Sequence, residues 1–250
     1  MGDCFSTESA PLSDEPPPLA LDPYATRLDI PRMPIDQFLA ELDRSVHDAL
    51  VVLGDAAAAG EPGPDIGIPE LLATALKKEL EASEEAALWM TREHDVDVKL
   101  ALARQCGDEA KHYRLIEVRL RELGVDLTAI HPLEGGPSPM FRFLAELGTT
   151  VERVAAGQFT REALAQVHNR VFIDYCEAHG DHTTANLYRD VIQPDEAHHH
   201  DTGRRLLARL AVTEEARDLA RKASARTLAI ASEIQEMVRL KKGIARAPGC

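Results

Sequence analysis

Two segments, GDEAKHYRLIEVRLREL at residues 107–123 and PDEAHHHDTGRRLLARL at residues 194–210, share the pattern Asp-Glu-Ala-x-His. Both segments otherwise have the apolar spacing that predicts a helix. In Glu-x-x-His the two side chains lie one helical turn apart on one face, so each motif offers a carboxylate oxygen and an imidazole nitrogen to a common point. Roughly one Glu-x-x-His is expected by chance in this chain, which has 10 histidines. Two copies with matching flanks therefore indicate a shared role.

The composition predicts an all-α protein. Leu and Ala dominate the apolar residues, only 4% of the chain is aromatic, and the long Val/Ile alternations of sheets are missing. Apolar residues at helical spacing, separated by Gly- and Pro-rich breaks, predict six helices. These are expected at 34–59, 69 to about 94, 96–124, 140–179, 182–210 and 213–242. Gly157 is a candidate interruption of the fourth helix.

Charge and cysteine usage disfavour several kinds of partner. The formal net charge of -14 disfavours nucleic acid and anionic membrane surfaces, which an acidic protein repels. The four cysteines form no Cys-x-x-Cys pair, so no rubredoxin-type iron site is encoded and electrons are expected from an external donor. Because the chain has neither a leader sequence nor a run of about 18 apolar residues, it is predicted to be soluble and cytoplasmic.

Two further glutamates are predicted to face the repeated motifs. Each motif lies on a helix that follows another helix after a short turn, and antiparallel folding of the two brings an upstream residue opposite the motif. In the first pair this residue is Glu79, upstream of Glu109, with Glu84 as the alternative. In the second pair it is Glu162, upstream of Glu196.

Four glutamates and two histidines suit two divalent metal ions. Four carboxylates balance four positive charges inside a bundle, and the neutral imidazoles add affinity without adding charge. The predicted ligands are Glu79, Glu109 and His112 for one metal, and Glu162, Glu196 and His199 for the other. Glu109 and Glu196 are the predicted bridges and the catalytic pair. Asp108 and Asp195 are each predicted to accept a hydrogen bond from the imidazole of the opposite motif.

This ligand pattern resembles that of the ferritin-like superfamily of dinuclear, carboxylate-bridged metal proteins. With Asp-Glu-x-x-His written twice and a Glu upstream of each copy, it is similar to the diiron hydroxylase subunits of bacterial multicomponent monooxygenases and to the small subunit of ribonucleotide reductase. The resemblance spans residues 69–211 and implies that they form the core of an antiparallel four-helix bundle. An extra N-terminal and an extra C-terminal helix would complete a helical domain at 34–243. Residues 1–33 are predicted to be a disordered or extended arm and 244–250 a tail.

The resemblance also implies an oxidoreductase. The expected activity is that of a non-haem diiron oxygenase or oxidase that uses dioxygen to oxidise a small organic substrate. Within this class, the resemblance implies a monooxygenase. Two iron ions are the expected cofactor, and manganese or a mixed Mn/Fe pair stays open because the same ligands accept either metal. A homodimer is also open.

Several alternatives remain at the level of sequence. The same ligands would serve a rubrerythrin-like peroxidase, a dimanganese catalase or a ferritin-like iron-storage protein. The plainest alternative is that these Glu and His residues form the solvated faces of ordinary amphipathic helices and bind no metal.

Overall fold

Helices account for the secondary structure of the described residues, which are 33–59, 66–242 and 248–249 of this computed structural model, and these residues include no β-strand. The helices are α1 (Ile35–Ala59), α2 (Ile68–Arg92), α3 (Val96–Glu122), α4 (Pro139–Glu146), α5 (Thr150–Val154), α6 (Glu162–Ala178), α7 (His182–Leu187), α8 (Gln193–Leu210) and α9 (Glu214–Lys242). The prediction of an all-α helical bundle is confirmed. Almost all of the predicted arm and most of the predicted tail lie outside the described residues.

Two π-helical segments interrupt the α-helical geometry of the bundle. Ala155–Arg161 joins α5 to α6, and Tyr188–Ile192 joins α7 to α8. In each segment a backbone N–H bonds to the carbonyl five residues earlier, as from Glu162 to Gly157. The second segment ends two residues before Pro194, which lacks the N–H that an α-helix needs at that position. Both segments therefore shift the helical phase just before a predicted ligand.

Capping residues set the ends of the central helices. The carboxylate of Asp95 accepts hydrogen bonds from the N–H groups of Asp97 and Val98 and begins α3. Gly124, at φ 79°, follows the end of α3 in the left-handed conformation that favours glycine. Thr149 and Glu152 form a capping box at the start of α5.

The single helix predicted over 140–179 is divided at a different place from the candidate break at Gly157. The chain leaves the helix at Leu147 and re-enters it at Thr150, because the capping box starts a new helix there. Gly157 instead lies within the first π-helical segment. A Cβ atom at Gly157 would lie 2.6 Å from the ring of Trp89, so glycine permits this close packing.

Two apolar clusters fill the bundle at different positions along the helices. The Trp89 cluster includes Phe38, Leu42, Trp89, Leu102, Phe159, Leu164 and Leu207. The Tyr188 cluster includes Leu72, Leu76, Ile116, Leu120, Phe172, Tyr188 and Ile192. Along α2, and from the π-helical segment Tyr188–Ile192 into α8, the chain passes from the Tyr188 cluster to the Trp89 cluster. Along α3 and α6 it passes the opposite way. Accordingly α2 is antiparallel to α3, and α6 is antiparallel to α8.

The remaining long helices cover one end of this bundle. Phe38, Leu42 and Val46 of α1 are buried in the Trp89 cluster, and so are Ala220 and Leu228 of α9. None of the helices in the described part of the chain is both long enough and apolar enough to cross a membrane.

Candidate metal centre

A layer of acidic and imidazole side chains separates the two apolar clusters. Its members are Glu79 on α2, Glu109 and His112 on α3, Glu162 on α6, and Glu196 and His199 on α8. None of these six residues is more than 2% exposed. The structure thus brings together all six residues that the sequence singles out, from four helices, and excludes water from them.

The six residues form two overlapping groups that could each hold a metal ion. Glu79, Glu109, His112 and Glu196 make one group, and Glu109, Glu162, Glu196 and His199 make the other. Within each group, one ligand atom from each residue lies within 4.8 Å of the others. Glu109 and Glu196 belong to both groups, which is the arrangement that carboxylates bridging two metals require.

Both histidines turn the same ring nitrogen toward the carboxylates. His112 Nδ1 lies 3.2 Å from Glu109 Oε2 and 3.4 Å from Glu79 Oε2. His199 Nδ1 lies 3.5 Å from Glu109 Oε1 and 3.8 Å from Glu162 Oε2. In either half of the layer, Nδ1 is therefore the nitrogen available to a metal.

The opposite ring nitrogen of each histidine meets an aspartate from the other motif. His112 Nε2 lies 3.1 Å from Asp195 Oδ2, and His199 Nε2 lies 3.2 Å from Asp108 Oδ2. An aspartate in this position accepts a hydrogen bond from Nε2–H, which keeps the proton on Nε2 and directs the lone pair of Nδ1 toward a metal. The exposed Lys111 joins the two aspartates, with Nζ 2.5 Å from Asp195 Oδ2 and 3.4 Å from Asp108 Oδ1.

Burial and close charges shift the pKa of most groups in the layer. Burial, together with the nearby Glu109, raises the pKa of Glu79 to about 7, and burial beside Glu109 and Glu162 raises that of Glu196 well above its usual value. Burial alone would lower the pKa of His112, but its close contacts with the carboxylates of Glu109 and Glu79 raise it to about 12. Without a metal, the layer therefore holds protons that a cation would displace.

The two halves of the layer differ at their outer glutamates, meaning the glutamate that each half does not share: Glu79 in one and Glu162 in the other. Glu162 Oε1 accepts a hydrogen bond of 2.6 Å from Gln105 Nε2 and lies 3.4 Å from Arg161 Nη2. Although burial tends to raise the pKa of Glu162, contacts with Glu196, His199 and Arg161 hold it below its usual value. Neither carboxylate oxygen of Glu79 makes a hydrogen bond to any described residue. One outer glutamate is thus held in place, and the other keeps both oxygens available.

Unsatisfied polar atoms in the layer fit a metal ion. Glu109 Oε1 and His199 Nδ1 are buried and, like both oxygens of Glu79, form no hydrogen bond among the described residues. Buried polar atoms of this kind are costly unless another group compensates them. A pair of divalent cations would satisfy these atoms and balance the four carboxylates, so the donor set fits the metals that the sequence predicts.

Three polar residues in and beside the layer, Gln105, Glu85 and Arg161, are not among the site residues that the sequence predicts. Gln105 holds Glu162, and Glu85 forms a buried ion pair with Arg161, which also contacts Glu162. Burial raises the pKa of Glu85 to about 8, despite the opposing effect of Arg161. The sequence does contain a signal for Glu85, because this residue lies at helical spacing between the inward-facing Ala82 and Trp89.

The alternative first ligand, Glu84, does not join the layer. It is exposed on α2, whereas Glu79 is fully buried on the same helix. The geometry therefore favours Glu79.

Comparison with known proteins agrees with a helical bundle and does not identify a family. No family model matches this chain, and no curated protein matches it. A solved structure that does match is a domain of unknown function with a heme oxygenase-like fold from Shewanella denitrificans OS217. That domain is 13% identical, with a TM-score of 0.58, and the match covers 86% of this chain and 97% of that chain. At this identity the likeness shows the fold alone, and a fold does not determine a function.

Proposed function

We propose that this protein is a non-haem diiron oxidoreductase that uses dioxygen to oxidise a small organic substrate. The observation that carries the proposal is the sharing of Glu109 and Glu196 between two buried groups of potential ligands. A single metal would need only one such group. Two antiparallel helix pairs, joined by the long connection between α3 and α5, also agree with a ferritin-like bundle.

The kinds of ligand favour iron or manganese over other metals. The layer offers carboxylate oxygens and imidazole nitrogens, and its two groups contain no thiolate. Imidazole suits iron, and carboxylate suits manganese and other hard cations. When bound, two iron ions would supply the electrons that reduce dioxygen, and an external donor would have to replace those electrons after each turnover.

The chain's own residues have distinct tasks in this proposal. Gln105 and Arg161 contact Oε1 of Glu162 and so restrain the orientation of its carboxylate. The carboxylate of Glu79 makes no hydrogen bond to the described residues, so both of its oxygens would be available to a bound metal. The Trp89 and Tyr188 clusters exclude bulk water on both sides of the layer. A reactive centre in this position is protected from side reactions with solvent.

A chain of polar contacts links the buried layer to the surface. His112 Nε2 contacts Asp195, and Asp195 contacts the exposed Lys111. Burial tends to raise the pKa of Asp195, but contacts with Lys111 and His112 hold it below its usual value. Asp195 therefore stays ionised and can accept a hydrogen bond from Nε2–H of His112.

Oxygen uptake by the reduced, iron-loaded protein tests the proposal. We expect uptake that depends on a reductant and yields an oxidised product with at least one member of a panel of small organic compounds. Glu196→Ala should abolish this uptake, and the exposed Glu84→Ala should not change it. Disproportionation of peroxide by the manganese-loaded protein, without oxidation of any organic compound, would support the catalase alternative. Accumulation of many iron ions per chain in a large assembly would support storage.

A further inference from the structure

A short segment distant in sequence fills the space beside Glu79. Pro248 and Gly249 are buried between α2 and α6. A Cβ atom built on Gly249 would lie 2.6 Å from Glu79 Oε1, closer than real Cβ atoms approach. Gly249 also has φ 88°, a conformation that L side chains rarely adopt. The backbone of this segment therefore lies directly against the candidate metal layer, where glycine alone fits.

Two side chains hold the polar groups of Gly249. Its N–H donates to Asn169 Oδ1 at 2.9 Å, and its carbonyl accepts from Lys78 Nζ at 3.4 Å. Lys78 immediately precedes Glu79 on α2, and Asn169 lies two turns after Glu162 on the same face of α6. The residues that recognise this peptide unit thus belong to the helices that carry the two outer glutamates.

Asn169 provides a second, independent sign of a ligand site. It is fully buried, yet its Nδ2 group makes no hydrogen bond to any described residue. A buried amide donor without a partner is destabilising, because it has lost its hydrogen bonds to water without replacement. Because Oδ1 of Asn169 already accepts the N–H of Gly249, Nδ2 remains as a donor for an additional acceptor group.

We propose that Lys78 and Asn169 form an amide-binding subsite of the metal centre, and that the substrate carries an amide or peptide group next to an unbranched carbon. Pro248–Gly249 then occupies this subsite in the place of the substrate. The inference rests on the proposed oxidoreductase, since the subsite places a bound amide beside Glu79. The carbon next to the bound amide must be unbranched, because a branch at the position of a Gly249 Cβ atom would lie too close to Glu79 Oε1.

Competition between the segment and the substrate follows from this arrangement. The segment is part of the same chain, so its effective concentration at the subsite is high. A free amide binds only to the fraction of molecules in which the segment has moved away, which weakens its apparent affinity by that fraction. Displacing the segment should therefore strengthen the binding of a peptide added in solution.

The test uses the peptide acetyl-Ala-Pro-Gly-amide, which matches residues 247–249, and the full-length protein. Gly249→Val should expel the segment, because valine rarely adopts the φ of 88° found here and its Cβ would also press on Glu79 Oε1. We expect the peptide to bind this variant at least about tenfold more tightly than the wild type. In the Gly249→Val background, Asn169→Leu should weaken binding at least about tenfold, since it removes both the Oδ1 acceptor of the peptide N–H and the unpartnered Nδ2 donor. Lys78→Met should weaken binding less, because the contact of Lys78 with the carbonyl is longer, at 3.4 Å. Asn186→Leu, at an exposed position of α7, is the matched control and should have no effect.

Peptide affinity and metal content are measured on the same samples by calorimetry and elemental analysis, with circular dichroism to confirm folding. The subsite is contradicted if Gly249→Val binds the peptide no better than the wild type, or if Asn169→Leu and Lys78→Met both leave binding unchanged. Should metal binding persist in those cases, the proposed oxidoreductase stands without the subsite. Peptide binding by a protein that takes up no metal would instead contradict the oxidoreductase.

Discussion

The carboxylate of Asp195 lies 3.1 Å from Nε2 of His112, although these residues are on different helices and belong to different copies of the repeated motif. Asp108 and His199 form the reciprocal contact at 3.2 Å. Each motif thus supplies a glutamate and a histidine to the layer, and its aspartate contacts the histidine of the other motif. The exchange links α3 to α8 and orients both imidazoles toward the carboxylates.

Replacing Asp195 by Asn should weaken metal binding without removing any ligand. The amide keeps the size of the carboxylate but loses the negative charge that fixes the tautomer of His112. We expect a loss of about 10- to 100-fold in metal affinity, measured by competition with a chelator. Asp48→Asn, at an exposed position of α1, is the control. Equal affinities for the two variants would contradict a role for Asp195 in holding His112.

The stability of the metal-free protein should fall as the pH rises. Burial raises the pKa of Glu79 to about 7 and that of Glu85 to about 8, so both acids keep protons in the folded state that the unfolded chain releases at lower pH. Stability falls with pH wherever the folded state binds more protons, here from about pH 4.5 to about pH 8. Despite its burial, contacts with Glu109 and Glu79 raise the pKa of His112 to about 12, which extends the decline above about pH 6.5.

Thermal unfolding with and without metal measures this effect. The Tm of the metal-free protein should decrease from about pH 5 to about pH 9, and the increase in Tm on adding metal should grow over the same range, because the metal displaces these protons. A metal-free Tm that rises through this range would contradict the assignment of protons to the layer.

Breaking the buried Glu85–Arg161 pair should be costly at high pH. Arg161→Leu leaves the carboxylate of Glu85 buried without its cation, and such a change typically costs about 3–5 kcal/mol. Because the pKa of Glu85 is raised to about 8, mainly by burial, the acid can take up a proton at lower pH and reduce the loss. We expect urea unfolding to show a larger effect at about pH 9 than at about pH 6.

The matched control is Arg226→Leu on α9. Arg226 forms an exposed pair with Glu233, and its removal should cost less than about 1 kcal/mol at either pH. An equally small cost for Arg161→Leu would mean that the buried pair does not stabilise the bundle.

Two glycine-to-alanine substitutions should have opposite effects on stability. A Cβ atom at Gly203 would lie 2.7 Å from the carbonyl carbon of Gln158 and 2.8 Å from the backbone nitrogen of Phe159. Gly203→Ala should therefore push α8 away from the first π-helical segment and cost about 1–3 kcal/mol. Gly107, within α3, has no atom near its Cβ position, so Gly107→Ala should gain about 0.5–1 kcal/mol. Denaturant unfolding of both variants measures the difference, and similar effects would contradict close packing at Gly203.

The ligand layer is predictable from sequence because local geometry decides most of it. The i, i+3 spacing places Glu109 with His112 on one face, and it does the same for Glu196 with His199. Glu79 follows from the short turn between α2 and α3, which pairs residues at similar distances on its two sides. The same periodicity predicts the all-α fold.

Other features depend on packing between distant segments, which periodicity does not encode. The π-helical segments shift the helical phase by an extra residue, and the shift at Ala155–Arg161 lies just before Glu162. Gln105, Glu85 and Arg161 are polar residues whose burial becomes favourable only once their partners are brought together. The contact of Gly249 with Asn169 joins segments 80 residues apart, and no local pattern announces it.

The number of metal ions bound per chain tests the central claim most directly. Wild-type protein reconstituted with ferrous iron without oxygen should bind about two ions per chain, and Glu109→Ala should bind far fewer because both ligand groups lose a member. Glu84→Ala, on an exposed face of α2, should match the wild type. Fewer than about one ion per wild-type chain, or equal metal content in Glu109→Ala and the wild type, would contradict a dinuclear centre at this layer.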